Sequence, residues 1–269
     1  MTAQHVLLIH GTWCNGDAWG EFANALEARG YTVHTPSLRH HGNPGTNDIW
    51  GNAQQVSKVG LLDFVADLKA LVETLDSPPI IIGHSVGALL AQLVAARVPS
   101  AGVVLLGPAP NAGMVALYPS MTALWTRYLP QWIAGKPMYP VSYKAWKKYI
   151  CNQTPDDLSQ AYYATLSAES GTMYREMALW FTDPKRAAKV DYRAVKAPVL
   201  VITGSKDKCT VPRIGRILAK KYAHRGTYVE LEGSDHMMTV GKYLPETLNA
   251  IDAWATKNEL QAVVASEVS

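Results

Sequence analysis

The segment Gly83-His84-Ser85-Val86-Gly87 follows directly on the apolar run Pro79-Ile80-Ile81-Ile82. Behind it lies a helix-like stretch from Ala88 to Ala96. The pattern Gly-x-Ser-x-Gly alone arises by chance, but at the end of a strand and the start of a helix it is specific. A sharp strand-to-helix turn holds its central residue in a strained backbone conformation and pushes the hydroxyl into the open. The flanking glycines are required because side chains there would collide with the neighbouring strand and helix. Few folds place a serine this way, and the pattern points to a serine hydrolase.

The rest of the chain supplies the sheet that such a turn needs. His5-Val6-Leu7-Leu8-Ile9-His10 is a near-continuous apolar run, as in a parallel strand covered on both faces. An amphipathic helix follows from Trp19 to Arg29, with Gly30 as its C-cap. Tyr31–Thr35 reads as a strand and Pro36 to about Asn52 as a polar loop. A helix is expected from about Leu61 to Leu75, and Gly102–Gly107 forms another strand. The alternation resumes with a strand at Pro198–Thr203, a helix near Ile214–Tyr222, a strand at Thr227–Leu231 and a last helix from about Pro245 to Thr256. Strands alternating with helices imply a mostly parallel, doubly wound α/β sheet of about six strands. The tail from about Lys257 to Ser269 is expected to fray.

Between Asn111 and about Val190 the pattern changes and strand-like runs disappear. This stretch holds Trp125, Trp132, Trp146 and Trp180, half of the eight tryptophans, together with eight of the thirteen tyrosines. We read 111–190 as a helical cap inserted into a core formed by 1–110 and 191–269. The insertion leaves the sheet just after a strand end, where α/β folds place their ligands. Part of it must be a packing lobe with a small core of its own. Its aromatic content also suits the wall of an amphipathic substrate pocket.

With 48% apolar and 17% charged residues, the 269-residue chain can bury a large core. A formal charge of +3, without basic runs, argues against nucleic acid or an anionic membrane as partner. No apolar run reaches the about 18–20 residues of a membrane span, and the first residues lack the pattern of a signal peptide. Cys14, Cys151 and Cys209 are odd in number and widely spaced, which fits neither a disulfide framework nor a zinc site. A reduced, cytoplasmic setting is expected. Adjacent His40 and His41 lack ligand partners at metal spacing, and no nucleotide fingerprint is present. Neither metal nor cofactor is expected. Oligomeric state is not legible, since a helical cap and an edge strand can each form a homodimer.

A nucleophilic serine needs a base, a group to orient the base, and donors for the developing oxyanion. His236, in Glu232-Gly233-Ser234-Asp235-His236-Met237, lies in a loop between the last strand and the last helix. It is the candidate base. Asp207 follows the Val199–Thr203 strand and can face that loop as the orienting acid. Asp235 competes, but a residue adjacent to His236 points away from its imidazole and reads better as a loop cap. The strand end after Leu106 carries Pro108-Ala109-Pro110 and no carboxylate. For the oxyanion, Val86 N–H follows the serine directly, and Thr12 N–H lies in the loop after the first strand, where Gly11 permits the turn. The Thr12 hydroxyl either adds a bond or satisfies its own turn. His10 and His84 read as loop-bonding residues. Trp13, Trp125, Trp132 and Met237 are candidate substrate contacts, and Trp13 equally suits simple packing.

Taken in order, His10-Gly11, the Gly83–Gly87 turn, Asp207 and His236 resemble the α/β-hydrolase superfamily over most of the chain. The abbreviated start and the segments Val6–Trp19 and Gly233–Met238 are similar to its plant methylesterase and hydroxynitrile lyase branch. Many lyases of that branch carry lysine directly after the catalytic histidine; here the position is Met237, as in the esterases. The spacing around Thr12-Trp13-Cys14 departs from the branch. The resemblance implies a cofactor-independent serine hydrolase with a small-molecule substrate. It would cleave a carboxylic ester through an acyl-enzyme, and the aromatic composition of the cap favours a small-to-medium apolar or aromatic substrate. Lactone, amide or carbon–carbon bond hydrolysis with the same residues, and lyase-like acid–base chemistry, stand as alternatives. A non-catalytic binding protein that keeps the fold is a further class, which an intact Ser85-Asp207-His236 set disfavours.

Overall fold

The computed structural model describes residues 4–42 and 52–261. The loop expected from Pro36 to about Asn52 therefore falls partly outside the described residues, as does the last part of the tail. The strands are β1 (His5–Ile9), β2 (Thr32–His34), β3 (Ile80–His84), β4 (Gly102–Leu106), β5 (Pro137–Met138), β6 (Glu169–Ser170), β7 (Val199–Gly204) and β8 (Gly226–Leu231). Six of them form one sheet in the order β2-β1-β3-β4-β7-β8, and every pairing in it is parallel. The fold is that of an α/β hydrolase.

Side-chain alternation along the strands divides the core into two layers. Val6, Leu8, Ile80, Ile82, Val104, Leu106, Leu200 and Ile202 face helices α1 (Gly20–Glu27) and α11 (Leu244–Lys257). Leu7, Ile9, Ile81, Val103, Leu105, Val199 and Val201 face the other way. There they meet α3 (Leu61–Val72), α4 (Val86–Ala95) and α10 (Pro212–Lys221). A short α2 (Ala53–Val56) precedes α3. Both faces being covered explains why β1, β3, β4 and β7 read as unbroken apolar runs. Helix α4 is buried along its whole length, since it is packed between the sheet and α3.

Residues 111–190 supply α5 (Pro119–Trp125), α6 (Leu129–Ala134), α7 (Tyr143–Tyr149), α8 (Asp156–Tyr163) and α9 (Gly171–Ala178). The segment is mostly helical, as its sequence suggests, but it also contains the two-residue antiparallel ribbon β5–β6. A ribbon this short leaves no periodicity to read. The segment has no separate core either. Trp132, Met138, Trp146 and Tyr174 belong to the same continuous apolar cluster as Ile81 and Val103 of the sheet. Its short helices pack their rings on one another, Trp132 on Tyr174 and Trp146 on Tyr163, and this packing is continuous with the core of the main domain. Among the described residues no helix is long and apolar enough to cross a membrane.

The chain runs from β1 outward to β2 and then returns to β3 on the other side of β1. The loops after β1 and β3 therefore emerge side by side at the carboxyl edge, at the reversal point where such sheets place ligands. In register, Ile9 lies opposite Gly83. A Cβ on Gly83 would fall on the Gly87 carbonyl, and one on Gly87 would fall on the carbonyls of Ile9 and His10. The two glycines thus set how closely α4 lies on the sheet. Gly87→Ala is expected to cost about 1–3 kcal/mol by overpacking and to lower Tm by about 3–10 °C. Differential scanning calorimetry checks this, and an unchanged Tm would show that α4 is not held at this spacing.

Candidate active site

Ser85 occupies the N-cap of α4 with φ 57 and ψ −119, a conformation costing a non-glycine residue about 1–3 kcal/mol. Tertiary hydrogen bonds hold it there. Its N–H donates to the Leu106 carbonyl at 2.9 Å, and its carbonyl accepts from the Ala88 and Ala109 N–H groups, both at 3.0 Å. The turn is thus fastened to the end of β4 as well as to its own helix. Val86 opens α4, so its N–H is among the first-turn donors that have no partner within a helix.

His236 and Asp207 come from loops after β8 and β7, and these adjacent strands bring them together. His236 Nδ1 lies 2.8 Å from Asp207 Oδ2, with both side chains buried. The other carboxylate oxygen, Oδ1, accepts from Cys209 N–H at 2.8 Å and Thr210 N–H at 2.9 Å. Asp207 is thus oriented by backbone donors and cannot swing away from the imidazole. Burial opposes a charge on His236, but the Asp207 carboxylate outweighs it and raises the imidazole's proton affinity well above its ordinary value. An imidazole bound at Nδ1 by a carboxylate has Nε2 for exchanging a proton. Ser85 and His236 line the same cavity.

Asp235, the rival acid, is fully buried and engaged elsewhere. It caps its own loop through Met237 N–H at 3.0 Å. It also accepts from Gln153 N–H at 2.6 Å and from Thr154 N–H at 2.8 Å. The residue expected as a loop cap therefore also ties the 111–190 segment to the loop of His236. His84 donates toward the His236 carbonyl at 2.9 Å. His10 accepts from Leu38 N–H at 3.0 Å. Burial, reinforced by a neighbouring histidine, lowers the pKa of each to about 3, so both are neutral loop-bonding residues.

The loop after β1 differs from expectation in where its strain lies. Gly11 does not carry the positive φ; Trp13 does, at 65°. Gly11 is needed instead for close approach, because a Cβ there would sit 3.1 Å from Ser85 Cβ and from His84 Nδ1. Trp13 is held in this conformation largely by the 111–190 segment. Its carbonyl accepts from Ser167 N–H at 2.6 Å, its indole donates to the Met138 carbonyl at 2.9 Å, and its N–H points to Glu169 Oε2 at 3.4 Å. Glu169 is itself fully buried and paired with His41, Nε2 to Oε1 at 3.1 Å. The Thr12 hydroxyl does not turn back on its own backbone. It pairs with the Tyr174 hydroxyl at 2.5 Å.

The four aromatic and sulfur candidates are distributed between two cavities. Trp13 and Met237 line the smaller one with His236. Trp132 lines only a larger cleft, and Trp125 lines both. Sequence reasoning missed Thr210, whose hydroxyl lies 3.0 Å from Asp207 Oδ2. It also missed Gly107, at φ 48, where a Cβ would lie 3.0 Å from His236 Nδ1. The absence of a side chain right after β4 was the available signal for Gly107. Burial raises the Cys209 thiol's pKa, so this cavity-lining sulfur is a neutral thiol.

A parallel sheet with a strained serine between β3 and α4, and a carboxylate-bound histidine beside it, defines a hydrolase architecture of the α/β class. The alpha/beta hydrolase family model matches residues 6–241, and the chain belongs to that family. A monoacylglycerol lipase of Mycolicibacterium smegmatis is 26% identical over 238 residues, covering 84% of this chain and 78% of that one. A monoacylglycerol lipase structure from Paleococcus ferrophilus superimposes with a TM-score of 0.69 at 23% identity, covering 94% of each chain. A methylesterase from Arabidopsis gives 0.68 at 15% identity, covering 94% of this chain and 99% of that one. These two structural likenesses are likenesses of fold.

Proposed function

We propose that this chain is a cofactor-independent serine hydrolase that cleaves carboxylic esters of apolar small molecules through an acyl-enzyme. The observation that carries the reading is the 2.8 Å contact between His236 Nδ1 and Asp207 on the cavity that also holds the strained Ser85. A relative named as a lipase supports ester chemistry, and the mainly apolar cavity walls support an apolar substrate.

In this mechanism Ser85 Oγ attacks the ester carbonyl carbon while His236 Nε2 takes its proton. Asp207 keeps the imidazole in the tautomer that carries hydrogen on Nδ1 and stabilises the imidazolium that forms. The Val86 and Thr12 N–H groups receive the oxyanion, the first with the help of the α4 N-terminus. Collapse of the tetrahedral intermediate breaks the bond to the alcohol oxygen, which leaves with the proton from His236. Water, deprotonated by the same imidazole, then releases the acid and restores Ser85. Trp13 and Met237 wall the space around the reacting carbon. The 111–190 segment acts as a cap that closes the site and, through Trp13, sets the second oxyanion donor.

Incubation with a fluorophosphonate is expected to add one label, on Ser85, and to abolish turnover of p-nitrophenyl esters. Peptide mass spectrometry locates the label. Full activity after stoichiometric labelling elsewhere, or no label on Ser85 in active enzyme, would refute the covalent mechanism.

A further inference from the structure

The two cavities meet at the reacting serine and differ in most of their lining. Ser85 and Trp125 are common to both. Trp125 stands between them, stacked on Trp13 with ring centroids 5.5 Å apart and 5.2 Å from Tyr174. The smaller chamber contains His236, Thr12 and Cys209. The larger contains Met114, Met121, Met177, Leu129 and Trp132, and no charged side chain among the described residues that line it.

The chemistry assigns the halves of the substrate to these chambers. The leaving alcohol oxygen must receive its proton from His236, so the alcohol half lies in the chamber that His236 lines. The acyl half leaves the same carbon in another direction, and the larger cleft is the other space open at Ser85. That cleft runs outward to Val115, Leu117 and Phe181, which are 72%, 82% and 69% exposed. Three large apolar side chains bare to solvent at one mouth are unusual for a surface with no apolar occupant. A mostly apolar lining without a charged side chain offers no ionic partner to a carboxylate or an ammonium group. Three methionines give it walls that adapt to a flexible chain.

We infer that the larger cleft is an acyl channel, that Trp125 is the residue dividing it from the alcohol chamber, and that the substrate is an ester of an unbranched long-chain fatty acid with a compact alcohol. The inference rests on the assignment of Ser85 and His236 given above. It extends that reading from apolar esters in general to one chain chemistry, lying on one side of the scissile bond.

Two ester series test it. With p-nitrophenyl esters of lengthening acyl chains, kcat/KM should rise by up to about fourfold per buried methylene and keep rising beyond the short chains. With acetates of lengthening primary alcohols it should stay flat or fall. Leu117→Asp combined with Phe181→Asp, both at exposed positions that tolerate charge, should lower the dodecanoate-to-acetate ratio of kcat/KM at least tenfold. A fastest rate on acetate or butyrate, or an alcohol series that rises instead, overturns the assignment of chambers. Dodecanoate binding to Ser85→Ala protein, read by calorimetry, judges the channel without turnover. Binding that weakens at least tenfold in the double variant supports it, and no binding overturns it. Loss of Ser85-dependent turnover on every ester would instead sink the hydrolase reading, and the calorimetric arm keeps the two failures apart.

Discussion

Ser85→Ala is expected to lower kcat on p-nitrophenyl esters by at least about 10³-fold, a loss of roughly 4 kcal/mol of transition-state stabilisation. The substitution removes one oxygen and leaves the backbone where it was. Alanine tolerates φ 57 no better than serine does, and the bonds that hold the turn come from backbone groups of Leu106, Ala88 and Ala109. The loss should therefore be chemical, with Tm unchanged within about 1 °C. Ser85→Gly supplies the complementary result. It should be equally inactive yet more stable, because glycine relieves a strain of about 1–3 kcal/mol, less the extra flexibility it gives the unfolded chain. Steady-state assays and calorimetry on both variants separate the two effects. Activity within tenfold of wild type in the alanine variant would remove Ser85 from the chemistry. A drop in Tm for the glycine variant would show that the turn is not strained.

Much of this arrangement could be read from the chain because its causes are local. β3 and α4 announce themselves through four apolar residues, two glycines and a serine, and the collision that excludes a side chain at Gly83 is with Gly87 of the same turn. Asp207 and His236 were legible because parallel strands deliver their following loops to one edge, so position after a strand predicts meeting in space. Other features depend on pairs far apart in sequence. Glu169 meets His41 across 128 positions, and Thr12 meets Tyr174 across 162. No spacing rule connects such residues. The positive φ falls on Trp13, a residue that avoids it, because bonds from Ser167 and Met138 overrule local preference. Composition marked 111–190 as aromatic, but it could not show that its rings, packed on one another, are continuous with the main core. For the same reason Asp235 was readable as a loop cap and not as the anchor of Gln153 and Thr154.

Asp207→Asn should reduce kcat by about 10³–10⁴-fold and move the pH profile in a definite direction. The site determines how the amide would sit. Oδ1 of Asp207 accepts from the Cys209 and Thr210 N–H groups, so an asparagine would place its carbonyl oxygen there and turn its NH₂ toward His236 Nδ1. That nitrogen would then have to accept, which puts the imidazole hydrogen on Nε2, where it blocks transfer from Ser85. The pH effect follows from the balance of causes at His236. Burial lowers its proton affinity and Asp207 more than restores it. In wild type, kcat/KM should therefore fall on the acid side with a midpoint above the ordinary imidazole value of about 6.5. With the carboxylate removed, only Cys209 still opposes burial, and the variant's remaining activity should persist to a midpoint below that of wild type. Asp235→Asn is the control. Its carboxylate bonds backbone groups of Gln153, Thr154 and Met237, so its loss should lower Tm and leave the acid midpoint in place. A shifted midpoint in the Asp235 variant, with none in the Asp207 variant, would transfer the orienting role from Asp207 to Asp235.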